Sequence, residues 1–252
     1  MLNTRNEEGI IIAEFDHGKV NSITRETLIK LRETVRTANE DKSIRGIILT
    51  GAGRTFSGGF DLPMFLGFKT LEEIVEFFDE EEEILVELFM CKKPVVSAIN
   101  GHAIAGGLIL AMASDYRIAK NHPKINLGMS EIKLGLPLSL AQAEVMRFGF
   151  DSDRKYRDMM YFGKMMNVEQ AKEFGILDEI VEDADLMPRA KKIVSKWIDN
   201  PGQAFIKLKE GLKKPAADRI RQRLAQEDWQ SILNCFFDPN VRGALEFVLS
   251  MM

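Results

Sequence analysis

Two short apolar runs, Ile47-Ile48-Leu49 and Pro94-Val95-Val96-Ser97-Ala98-Ile99, each lead into a glycine pair, and this repetition restricts the chain to folds in which buried strands alternate with helices. The first run is followed by Ser57-Gly58-Gly59-Phe60-Asp61-Leu62 and the second by Ala105-Gly106-Gly107-Leu108-Ile109-Leu110. A backbone N–H can donate to a developing negative charge only where no side chain blocks the approach, and glycine at a loop-to-helix junction supplies that opening. Either turn alone is compatible with an ordinary strand-to-helix connection. Together with Glu131, in Met129-Ser130-Glu131-Ile132-Lys133-Leu134-Gly135, they read as an oxyanion hole and a base.

Strand patterning covers 9–15, 45–50, 94–99, 115–119 and 176–181. Thr24 is placed to cap a helix whose apolar positions Leu28, Leu31, Val35 and Ala38 recur at helical spacing. A second helix is expected over 70–90, with an apolar stripe of Leu71, Ile74, Phe77, Phe78, Ile84, Leu85 and Leu88. Between Glu72 and Glu87 it holds nine acidic and no basic residues, which reads as a solvated face because a metal site needs converging ligands rather than a charge run. A third helix is expected over about 106–113. Beyond about 138 the pattern turns mostly helical, punctuated at Asn200-Pro201-Gly202, Lys214-Pro215 and Asp238-Pro239. The expected organisation is an α/β core followed by a helical C-terminal subdomain.

At 252 residues, with 45% hydrophobic and 29% charged side chains, the chain suits one globular domain or a large domain with an appendage. A net charge of -4 offers no general attraction for nucleic acid or acidic lipid, so neither is expected as a partner. Cys91 and Cys235 match no metal-ligand or redox spacing, and a reducing compartment follows: cytoplasm, with an organelle matrix equally compatible. No apolar run is long enough to span a bilayer, and Met1 to Gly9 lacks the apolar core of a secretory signal, so the expectation is a soluble chain. His17 and His122 lie in polar, turn-like surroundings; His102 is near the second glycine turn, but no nucleophile is paired with it and no G-x-S-x-G elbow exists.

Five ordered segments carry a resemblance over nearly the whole chain: Lys19-Val20-Asn21-Ser22-Ile23, Ile47-Ile48-Leu49-Thr50-Gly51, Phe56-Ser57-Gly58-Gly59-Phe60-Asp61-Leu62, Ser97-Ala98-Ile99-Asn100-Gly101 and Asp115-Tyr116-Arg117-Ile118-Ala119. In order and spacing they resemble the crotonase family, also called the enoyl-CoA hydratase/isomerase superfamily. The resemblance implies an α/β spiral of β-β-α turns over 1–195 and a C-terminal helical trimerisation region over 196–252, assembled as a homotrimer or a dimer of trimers. It also implies an acyl-CoA substrate whose thioester carbonyl is gripped by the backbone N–H groups of Phe60 and Gly106, with Glu131 as the base. Substrate contacts would come from Lys19, Val20, Asn21, Ser57, Gly59, Asp61, Leu62, Gly107 and Ile109. No metal or redox cofactor is implied, coenzyme A being part of the substrate.

One departure bears on the reaction. Hydratases of this family use two glutamates to hold and activate water, and the first of those positions is here Ile109. An apolar side chain cannot position water, whereas one carboxylate suffices to carry a proton between two carbons on the same face of a substrate. Val20-Asn21-Ser22, Asp41-Lys42-Ser43-Ile44-Arg45-Gly46, Ala105-Gly106-Gly107 in place of three glycines, and Asn126-Leu127-Gly128-Met129-Ser130-Glu131 are closer to the monofunctional enoyl-CoA delta isomerases of the family. These move a double bond from the 3 to the 2 position. Ile132, Leu134 and Leu136 beside Glu131 predict desolvation and a raised pKa. Hydratase, acyl-CoA hydrolase and non-catalytic acyl-CoA binding stay open as alternatives. Met64, Phe65 and Phe68 read as core or as acyl pocket, and the basic residues over 207–223 as a phosphate contact or a solvated helix surface.

Overall fold

Strands whose every residue is buried need cover on both faces, and this is what the apolar runs 46–51 and 95–99 receive. The computed structural model describes residues 1–251. In chain order it contains β1 (Leu2–Glu7), β2 (Ile10–Phe15), α1 (Arg25–Glu40), β3 (Gly46–Gly51), β4 (Thr55–Ser57), α2 (Leu62–Gly67), α3 (Leu71–Phe89), β5 (Val95–Ile99), β6 (His102–Ile104) and α4 (Gly106–Ala113). There follow β7 (Tyr116–Lys120), β8 (Leu127–Gly128), α5 (Leu140–Gly149), α6 (Asp153–Phe162), β9 (Met165–Met166), α7 (Val168–Phe174), β10 (Glu179–Val181), α8 (Leu186–Ile198), α9 (Ala204–Gln226) and α10 (Pro239–Met251). Short 3₁₀ turns at Glu131–Leu134 and Gln230–Phe237 join them.

A six-stranded sheet runs β1-β2-β3-β5-β7-β10 and a four-stranded sheet runs β4-β6-β8-β9. Three times in succession the chain gives one strand to the large sheet and the next to the small one: β3 then β4, β5 then β6, β7 then β8. This is the spiral of β-β-α turns that the resemblance implied. Alternation along β3 divides the core, with Ile47 and Leu49 facing the main cluster and Ile48 facing the smaller cluster under α8. Residue 195 falls within α8, and the helical tail begins after it. Among the described residues no helix is long and apolar enough to cross a membrane.

Four features differ from the sequence expectations. The glycine turns follow β4 and β6 rather than the long strands, because three-residue strands are too short to show a period. Pro215 lies inside α9 instead of ending it; it sits on the exposed side, and the carbonyl it strands belongs to exposed Gly211, where solvent can hydrogen-bond it. The acidic run of α3 is not wholly solvated: Glu81 and Glu82 are each 1% exposed, against α5. Within the basic segment, Lys209 and Lys213 are also buried, bonding Asp115 at 2.6 and 2.8 Å. They therefore present no charge for a phosphate. Lys213 also donates to the Ala113 carbonyl, satisfying the C-terminal end of α4.

Candidate active site

Because β4, β6 and β8 are neighbours, with Thr55 opposite His102 and Ala103 opposite Leu127, the residues following these strands meet at one edge of the small sheet. Those residues are the first glycine turn, the second glycine turn and Glu131. At the first turn, Gly59 has φ +102°. A Cβ there would fall 2.9 Å from the Ala105 Cβ and 3.3 Å from the Gly106 nitrogen, so any side chain would press on the second turn. A Cβ at Gly107 would run into the Ser57 carbonyl. The two turns touch backbone to backbone, which is why glycine is needed at both.

Hydrogen bonding sets the direction of the amides. Ile23 N–H donates to the Gly59 carbonyl at 2.8 Å and Asp61 N–H to the Ile23 carbonyl at 3.0 Å, so this bridge leaves the Phe60 N–H out. Gly106 opens α4, and its N–H has no acceptor within the helix. The helix dipole points its positive end to the same place. Ala105 before it holds φ 54° and ψ -130°, a conformation suited to glycine rather than alanine, and so a strained one.

Behind the turns, Ser57 Oγ donates to the Asn21 carbonyl at 2.9 Å and accepts from Gly59 N–H at 3.2 Å. The Asn21 amide donates to the carbonyls of Ala52 and Thr55, at 2.9 and 2.6 Å. Both residues are buried and spend their polar groups on the loops around the first turn. Asp61 accepts from Met64 N–H to start α2 and stands 3.8 Å from His17 Nε2.

Beside the first glycine turn and Ala105 lies a mainly apolar cavity of about 440 Å³, whose wall does not include Gly106. Val20, Gly59, Phe60, Leu62 and Glu131, all expected at the site, are on its wall. Lys19 is exposed beside Val20. Gly107 and Ile109 are buried and do not reach the wall; Ile109 is 2% exposed. Phe65 serves as both core and wall, its ring 5.5 Å from that of Phe60. Sequence reasoning missed Met165 of β9 and Val248 of α10, which also line the cavity and belong to no motif. The C-terminal helix folds back over α2, where Arg242 Nη2 donates to the Leu66 carbonyl at 2.7 Å.

Glu131 is the only ionisable side chain on this wall among the described residues. Its Oε2 is buried without a hydrogen-bond partner. Burial pushes its carboxyl up to about 7, against the smaller opposing effect of the Glu131 and Ser130 backbone N–H groups. A carboxylate with that pKa on the wall of an apolar cavity is equipped to take and return protons. Among the described residues, no group of three His, Cys, Asp or Glu side chains is placed to hold a metal ion.

The model of the enoyl-CoA hydratase/isomerase family matches residues 5–240, and the chain belongs to that family. Mitochondrial enoyl-CoA delta isomerase 1 of Rattus norvegicus is 30% identical over 256 residues, covering 100% of this chain and 86% of its own. A crotonyl-CoA hydratase of Syntrophomonas wolfei is 26% identical over 204 residues, 80% of this chain and 76% of its own. The crystal structure of human mitochondrial delta3-delta2-enoyl-CoA isomerase superposes with a TM-score of 0.90 at 24% identity, over 99% of this chain and 97% of that one, which shows a shared fold.

Proposed function

We propose that this protein shifts the double bond of a 3-enoyl-CoA to the conjugated 2 position with Glu131 as the single base. The thioester carbonyl accepts from the Phe60 and Gly106 N–H groups. Ionised Glu131 takes a proton from carbon 2; the C–H electron pair enters a dienolate whose oxygen the two amides hold. Glu131 then returns the proton to carbon 4, and the double bond closes between carbons 2 and 3. Atoms and charge balance with no further reactant. Removing one preorganised amide donor of this kind costs about 2.7–4 kcal/mol of transition-state stabilisation.

The observation that carries the proposal is the lone ionisable group on the cavity wall among the described residues: Glu131 borders the apolar space, and the position where a hydratase would carry a second glutamate is the buried Ile109. The name of the rat relative supports the same reading. Incubation with 3-hexenoyl-CoA and, separately, 2-hexenoyl-CoA tests it. Conjugation of the first without hydration of the second is expected; hydration of the second without isomerisation would overturn the proposal and favour the reaction named for the Syntrophomonas relative. The assembly belonging to this reading is a homotrimer or a dimer of trimers. Leu208 and Leu212, exposed one turn apart on α9, support an unfilled contact there, and sedimentation as a monomer would remove it.

A further inference from the structure

Phe60 and Glu131 share the cavity wall but come from distant parts of the chain, and one helix packs against the supports of both. On one turn of α3, Phe77 and Phe78 hold the Phe60 ring edge-on, with centroids 5.7 and 6.3 Å away. On the next turn, Glu82 Oε2 accepts at 2.8 Å from the N–H of Ala141, in the first turn of α5. Phe78 and Glu82 are four residues apart and so lie one above the other on the helix. The path from Ala141 back to Glu131 is short and has little slack. The Leu136 N–H donates to the Glu131 carbonyl at 3.0 Å, closing the turn on itself. Pro137, with its restricted backbone, and Leu138 then lead to Ser139, the residue before α5, whose N–H donates to Gln142 Oε1 at 3.2 Å.

Glu82 is 1% exposed and its Oε1 has no hydrogen-bond partner, so this carboxyl is withdrawn from water for a single amide bond. Apolar side chains would hold two helices together at least as firmly. What a carboxyl adds is direction: an acceptor aimed at one of the amides that a helix start leaves open. We infer that α3 sets the place of Glu131 relative to Phe60, with Glu82 as the positioning residue that fixes the start of α5 and, through it, the turn carrying the base. The inference rests on the proposed isomerisation, in which Glu131 and the Phe60 N–H act on one substrate. The remainder of α5 is held independently, by buried Val145 and Met146 and by Glu144, which accepts from Arg223 at 3.0 Å. Loss of the Glu82 contact therefore frees the start of the helix and not the whole of it.

Glu82→Leu removes the acceptor and Glu82→Gln keeps it, while both remove the ionisable group. With 3-hexenoyl-CoA, Glu82→Leu should lower kcat by about 10–10²-fold with KM little changed, and Glu82→Gln should match the unmodified protein. Val35→Ala, a truncation in the buried face of α1, is the control for stability: it should lower the urea midpoint and leave kcat alone. The acid limb of kcat/KM gives a second reading. In Glu82→Leu it should move below about 7, because a loosened turn admits water to Glu131. The charged groups around Glu82 are Glu81 and Asp79 on α3 and Arg223 on α9, and the glutamine variant leaves their surroundings with the same loss of charge. An unaltered kcat in Glu82→Leu, or an equal loss in Glu82→Gln or Val35→Ala, would overturn the inference. Amide hydrogen exchange over 131–138 reads the same coupling without substrate and should be faster in Glu82→Leu than in Glu82→Gln; equal exchange in the two would overturn it as well. A protein silent toward 3-hexenoyl-CoA would thus remove the isomerase reading, while exchange alone decides the role of Glu82.

Discussion

Glu131 and the Glu81–Glu82 pair are pushed above the usual carboxylate range by the same leading cause, burial, yet they sit in opposite surroundings. Glu131 borders an open apolar cavity, and nothing in the protein partners its Oε2. Glu82 reaches about 7 between α3 and α5, where its Oε2 accepts from the Ala141 N–H at 2.8 Å. Glu81 is held well above the usual carboxylate range by burial and by the charge of Glu82. Gln142 and Ser139, residues of the capping box that starts α5, oppose that rise. A raised pKa therefore does not by itself mark a base in this molecule; what sets Glu131 apart from the pair is its place on a cavity wall.

The sharpest break between the two regions is substitution by glutamine. Glu131→Gln is expected to lower the double-bond shift by about 10²–10⁴-fold while acyl-CoA still binds. Glu82→Gln keeps an acceptor for Ala141 and should leave kcat unchanged; a comparable loss there would mean the helix interface, not the cavity, carries the chemistry.

A second test uses pH. Only ionised Glu131 can accept the proton, so kcat/KM should fall about tenfold per pH unit below about 7 and be flat above it. Glu131→Gln should lose this profile and Glu82→Gln should keep it.

Stability sharpens the comparison from the other side. Glu82 has a folded-state pKa of about 7 against 4.5 for the free side chain, so between these values the folded chain binds more protons than the unfolded one. The stability it contributes is present below 4.5 and is lost as pH rises through about 7. Urea midpoints should accordingly be higher at about pH 5 than at about pH 8, and Glu82→Gln should shrink that difference. Glu131 contributes with the same sign, so the slope is reduced rather than abolished.

The smallest effect is expected at the second glycine turn. Ala105→Gly relieves backbone strain of about 1–3 kcal/mol at φ 54° and gives back about 0.5–1 kcal/mol of chain entropy. A melting temperature higher by about 2–4 °C with unchanged kcat is expected. A lower one would show that the alanine conformation is not strained.

Much of this arrangement was legible before folding was considered. The strands that became β3 and β5, the Thr24 cap of α1, the extent of α4 and the three site segments follow from local signals: apolar runs, a hydroxyl cap, glycine at a junction. The burial of Glu81 had a signal too. It lies four residues after Phe77 and three before Ile84, on the helix face those residues bury, but the density of acidic neighbours masked it. The side chains of Asn21 and Ser57 are spent on the loops behind the first turn, since a motif marks a position without saying which way its side chain turns.

By itself the sequence determined what depends on near neighbours: the alternating strands and helices, the two glycine turns, and one carboxylate set among apolar residues. Only the tertiary structure decided what depends on residues far apart in the chain. It joined Lys209 and Lys213 to Asp115 and brought Val248 onto the cavity wall. The physical reason is that hydrogen bonding and helical spacing act over a few residues, whereas burial, cavity shape and the cost of an enclosed charge arise only once distant elements have packed together.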